Sequence, residues 1–199
     1  MSELAIEPKA RLGVPGLDNI LVGGLARGHL YLLEGSPGTG KTTIALQFLL
    51  EGHQRGEKGL YVTLSETEAE LRLTANSHGW EIDAKFDVFE LAPPESLLDS
   101  EQQQSLLYSS DLELGEATKA IFEAVERIKP DRLVLDSLSE IRLLAQSSLR
   151  YRRQILLLKH YFARNGATVT KVVAPCRLRY CSSSCMCSSS ACSCGMAAW

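Results

Sequence analysis

Acidic side chains are missing from the last 59 of the 199 residues: no Asp or Glu follows Glu140. The 12 Lys and Arg up to that point stand against all 24 acids, giving −12, and the nine that follow stand alone, giving +9. The net charge of −3 therefore hides two unlike segments, a pattern that marks a nucleic-acid surface or a segment of different origin. Cysteine is absent from the first 175 residues, and all six fall between Cys176 and Cys194. The main body thus lacks a disulfide framework, which suits a reducing compartment. No apolar run approaches the roughly 18 residues needed to cross a bilayer. The opening "MSELAIEPKA" lacks the basic and apolar regions of a secretory signal. No membrane association and a cytoplasmic location are the expectations. Only four histidines occur, His29, His53, His78 and His160, scattered without metal-ligand spacing.

What is present is ordinary globular material, 45% hydrophobic and 23% charged, long enough for one α/β domain with a real core. "RLGVPGLDNILVGGLARG" reads as turns around a short helix. "HLYLLEG" is a compact apolar run, expected to be a buried strand, and "KTTIALQFLLEGHQRG" is a helix of about four turns. "GLYVTLSE" is the next strand. "TEAELRLTANSHGW" follows as a helix, with Thr67 as N-cap and Glu70 completing a capping box. Trp80 at its end is expected to be a packing residue. "FDVFEL" is a third strand, "APPESLLDSEQQQSLLYSSD" an irregular connection, and "LGEATKAIFEAVERIKP" an amphipathic helix ended by Pro130. "DRLVLDSLSE" is a buried strand bearing an acid, and "SSLRYRRQILLLKHYFARNG" a long basic helix stopped by Gly166. Alternating β and α elements predict a mostly parallel sheet in a three-layer α/β/α fold.

Residues 35 to 43, "GSPGTGKTT", carry the sharpest chemistry. Gly35, Gly40, Lys41 and Thr42 match G-x-x-x-x-G-K-[ST] at every fixed position. Bare backbone N–H groups and a helix N-terminus can solvate phosphate oxygens without side chains in the way. The candidate nucleotide-binding residues are Gly35, Ser36, Pro37, Gly38, Thr39, Gly40, Lys41, Thr42 and Thr43. Lys41 would reach the outer phosphates and Thr42 would help to hold Mg²⁺. An apolar strand delivers Asp136 to the carboxyl edge of the sheet, where ligand crevices form. There it can orient a water on Mg²⁺ or bind the metal near Thr42. ATP and Mg²⁺ are the expected cofactors. The basic run Arg150, Arg152, Arg153, Lys159 and Arg164 lacks interleaved aromatics for stacking bases. A solvated helix face or a surface meeting a neighbouring subunit is expected ahead of nucleic acid.

"PGLDNILVGGLARGHLYLLEGSPGTGKTTIALQFLLEG", "YVTLSETEAEL" and "LVLDSLSE" together resemble the KaiC-like branch of the RecA-type P-loop ATPases, over about residues 10 to 169. The resemblance implies ATP and Mg²⁺ bound between subunits of a hexameric homo-oligomer, ATP hydrolysis, and in some members phosphorylation of their own Ser and Thr. It also implies a role in signalling or regulation. The alternatives are a RadA-like DNA-repair ATPase that binds single-stranded DNA, and an ATP-binding regulatory module without turnover. The family places one or two glutamates just after the second strand to orient water. Here an ungapped alignment puts Ser65 at the first position and Glu66 at the second. Glu66 is the candidate base, because an unaided serine directs a proton poorly, and Lys41 is its catalytic partner.

From about Thr170 the composition shifts to Cys and Ser without acids. The cysteine spacings of four, three, one, four and one intervening residues lack the paired C-x₂-C of common zinc sites. Residues 170–199 are expected to be an aberrant or disordered tail on an ATPase core of residues 1–169 that lacks its last strands. The RecA-type arrangement implies that the strand after the long helix, "GATVTKVV", inserts between the strand before the phosphate loop and the strand bearing Asp136.

Overall fold

Two short extended pieces, β1 (Lys9–Ala10) and β2 (Leu25–Ala26), pair antiparallel around α1 (Pro15–Ile20). The computed structural model describes residues 9–82, 85–91 and 106–173. The Cys/Ser-rich stretch from residue 174 and most of the connection at 92–111 lie outside them. Pro15 sits in the first turn of α1, where its missing N–H is not needed.

The body follows as β3 (Leu30–Glu34), α2 (Lys41–Gln54), β4 (Gly59–Thr63), α3 (Glu68–Ser77), β5 (Asp87–Glu90), α4 (Leu106–Ile128), β6 (Arg132–Asp136), α5 (Leu138–Ala145), α6 (Ser148–Asn165) and β7 (Thr168–Val173). Five of the strands form one parallel sheet in the order β3-β7-β6-β4-β5. The last strand thus lies between the strand that leads into the glycine loop and the strand that ends in Asp136, as expected from "GATVTKVV". Lys171 stands opposite Leu32 and Leu135 within it.

β4 and β6 are buried along their whole length, so both read as mostly apolar runs, with Arg132 and Asp136 at the two ends of β6. Side chains alternate between two cores. Tyr61 and Val134 face α2 and α3 with Leu46, Phe48 and Leu49. Leu60, Val62, Leu133, Leu135 and Val169 face the α4–α6 side with Ile121, Leu158 and Phe162.

Three expectations need correction. β3 forms, but as one of the two outer strands among the described residues, with Leu32 57% exposed rather than buried. α4 begins at Leu106, inside the stretch read as irregular. Ser109, Ser110 and Asp111 suggest a turn, yet weak propensities yield to a helix anchored further on by Leu114, Ile121 and Val125. α5 goes unrecognised in "DRLVLDSLSE", because the strand ends at Asp136 and Ser137 already starts a helix with extended backbone.

Arg132, at the start of β6, is fully buried. It bonds Glu57, the carbonyl of Arg11 and the carbonyl of Phe48, and its guanidinium lies 4.7 Å from the centre of the Phe48 ring. Glu57 also pairs with Arg27. The side chain passes so close to α2 that a Cβ on Gly52 would lie 2.5 Å from Arg132 Cδ. Only glycine leaves that passage open.

Candidate nucleotide site

The loop between β3 and α2 is built around one carbonyl. Ser36 O accepts from Thr39 N at 3.3 Å, Thr39 Oγ1 at 2.8 Å and Lys41 Nζ at 3.0 Å. Gly38 and Gly40 adopt φ of 78° and 80°, the left-handed region that other residues enter at a cost. Gly40 is the N-cap of α2 and no side chain caps that helix. Its first N–H groups are therefore open to an anion, and the helix dipole adds positive potential there. Pro37 and the other residues from 36 to 39 are exposed, so the loop is an open cradle. A cleft of about 450 Å³ lies elsewhere, lined by Gly13, Gln47, Glu51, Trp80 and Lys85, and shares no residue with the loop.

Asp136 lies across from the first turn of α2. Thr42 Oγ1 donates to its Oδ2 at 3.2 Å, and Tyr61 Oη donates to the same atom at 2.6 Å. Burial pushes the Asp136 carboxyl up, and the two hydrogen bonds with the Lys41 charge bring it only part of the way back. A hydroxyl beside one carboxylate is a hard oxygen donor set. It fits Mg²⁺, which keeps waters and phosphate oxygens as its other ligands and needs no protein cage. Among the described residues no group of three His, Cys, Asp or Glu could hold a metal by itself.

Glu66 sits half-buried after β4, and Ser65 beside it is exposed. Thr63, at the end of β4, fixes the turn: its Oγ1 accepts from Glu66 N at 3.0 Å and donates to Glu66 O at 2.6 Å. Burial raises the Glu66 carboxyl, followed by the charges of Asp136 and Glu70. Directly after it, α3 starts on the reciprocal capping box of Thr67 and Glu70 read from the sequence. Glu90 from β5 adds a bond to Glu68 N at 3.1 Å.

Lys41, Thr42, Asp136 and Glu66 therefore gather at the carboxyl end of β3, β6 and β4. Three residues at this edge escape a sequence reading. Tyr61 and Thr63 are the polar members of an otherwise apolar strand, on the face that period-2 alternation gives to Asp136. His78, at the C-cap of α3, lies with Nε2 3.4 Å from Thr43 Oγ1 and its ring 5.0 Å from that of Trp80. Its signal was only a histidine beside a tryptophan. The basic residues Arg152, Arg153 and Lys159 are exposed on α6, whereas the helix's aromatic residues Tyr151, Tyr161 and Phe162 pack inward.

Comparison with known proteins agrees with this arrangement. A UPF0273 protein of Aeropyrum pernix is 30% identical over 165 residues, covering 80% of this chain and 65% of that one. The circadian clock protein KaiC3 of Synechocystis is 33% identical over 165 residues, 80% of this chain and 31% of its own length. The chain thus spans about two thirds or less of these curated relatives. A solved KaiC-like protein from the hyperthermophilic archaeon Pyrococcus horikoshii superposes with a TM-score of 0.68 at 28% identity, over 84% of this chain and 71% of that one. No helix among the described residues is long and apolar enough to cross a membrane. The family model for ATPases of the KaiC type matches residues 10–174, and with the P-loop sheet and its ordered motifs this chain belongs to the KaiC-like ATPase family.

Proposed function

We propose that this protein binds Mg·ATP in the loop of residues 35–43 and hydrolyses it, as a KaiC-like ATPase acting in signalling or regulation. The observation that carries the reading is the uncapped start of α2 beside Lys41, with the Thr42–Asp136 pair at 3.2 Å. The loop amides and Lys41 bind the phosphates. Thr42 and Asp136 would hold Mg²⁺, which when bound neutralises charge on the transferred phosphoryl group. Glu66, fixed by Thr63, orients the attacking water and accepts its proton. Ser65 is exposed and has no such support. Catalysis of this type is mostly positioning and electrostatics.

The family's serine/threonine autokinase activity and its assembly into a homo-oligomeric ring extend this proposal. A RadA-like role on single-stranded DNA finds no support in α6, where the aromatic residues pack inward. The test is thermal unfolding during titration with Mg·ATP. Wild type should gain roughly 3 kcal/mol of stability at a hundred-fold excess over Kd, and Lys41→Ala should gain almost nothing. Equal behaviour would remove the nucleotide assignment. Binding without measurable steady-state hydrolysis would identify a regulatory binder.

A further inference from the structure

Both hydrogen bonds that reach the Asp136 carboxylate end on one atom, Oδ2, and among the described residues none reaches Oδ1. A carboxylate turns through a broad, nearly two-fold well about its last torsion. It keeps one orientation toward a cation only if a rigid donor holds it. Thr42 is a poor holder, since its hydroxyl rotates and is itself expected to meet the cation. Tyr61 has the right properties. Its ring is fully buried on the α2 face of the sheet. The register places Tyr61 opposite Val134 and Thr63 opposite Asp136. Tyr61 and Asp136 therefore share a face two residues apart, and the length of the phenol spans the gap. The phenol is an O–H donor, and its hydroxyl lies 2.6 Å from Oδ2.

We propose that Tyr61 is a positioning residue for the cation: its bond to Oδ2 fixes the Asp136 carboxylate beside Thr42, and thereby sets how strongly nucleotide binding depends on Mg²⁺. This rests on the nucleotide reading above. The competing explanation is a core tyrosine that has merely found an acceptor. Tyr61→Phe keeps the ring and removes the hydroxyl, which separates the two.

The experiment is titration of Mg²⁺ against a fluorescent ATP analogue, with folding checked by circular dichroism. Affinity without Mg²⁺ should match wild type, because Lys41 and the loop amides are untouched. The Mg²⁺ concentration giving half of the affinity gain should rise about ten-fold, the effect of one lost hydrogen bond to a charged acceptor. An unchanged Mg²⁺ dependence overturns this inference alone. A wild type that binds no nucleotide overturns the nucleotide reading and this inference with it. Should Tyr61→Phe not fold, the wild type decides. Adding Mg²⁺ to its nucleotide-loaded form must perturb the tyrosine difference absorbance, and a flat spectrum overturns the proposal.

Discussion

At Glu66 two requirements pull against each other. A base that takes a proton from water must be ionised, yet half-burial and the nearby Asp136 and Glu70 charges raise its pKa above the ordinary glutamate range. Hydrolysis should therefore lose activity on acidification while ordinary glutamates are still ionised, and a pH–rate profile measures this. For stability the sign is the reverse. The folded state favours the protonated form, so this contribution is fully present below the unfolded pKa and lost as pH rises through the folded one. Glu66→Gln imitates the protonated group. It should raise Tm near neutral pH and leave Tm almost unchanged at about pH 4. Its hydrolysis rate should fall roughly 100- to 10,000-fold, the usual span for a removed general base. A mutant with full activity would move the base role elsewhere.

At the scale of elements, α3 is the best case for reading structure from sequence. Thr67 and Glu70 cap it reciprocally, and Glu70 is held below its ordinary range first by the backbone and side-chain bonds of Thr67. Thr67→Ala should cost about 1 kcal/mol by thermal or denaturant unfolding. It should also lower the hydrolysis rate, because Glu66 is the residue before the cap. The Ser147 cap of α6 is a finding of the structure; α2 and α6 were legible from a glycine loop in front of α2 and from Gly166, in the left-handed region, behind α6. α5 and the first turns of α4 were not. Each abuts a stretch whose local chemistry points elsewhere, and tertiary packing decides them. Of the candidate site, Gly35, Gly40, Lys41 and Thr42 rest on a fixed motif, and Asp136 on its place at the end of an apolar strand. Tyr61 and Thr63 could not be read this way, because their roles arise only when β4 and β6 pair in one register.

At the scale of the whole molecule, Arg132 links parts that the chain order keeps far apart: the segment after β1, the middle of α2, and Glu57 with Arg27. Burial tends to raise Glu57, but Arg27 and Arg132 together outweigh it and leave it lowered. Its support is therefore present above the unfolded carboxylate pKa and fades as pH falls through the folded one. Glu57→Ala leaves a buried cation short of its partner and should cost about 3–5 kcal/mol in urea unfolding, and Arg132→Met should also destabilise, because the carbonyls of Arg11 and Phe48 lose their donor. A loss below about 1 kcal/mol for Glu57→Ala would mean that the ion pair contributes no more than an exposed one. The close passage of Arg132 at Gly52 has a consequence across generations of sequence change. Any side chain there collides with the arginine until the arginine has gone, so lineages must lose the cation first and fill the gap second. Relatives carrying a bulky residue on that turn of α2 should be those in which the strand opposite no longer begins with a guanidinium.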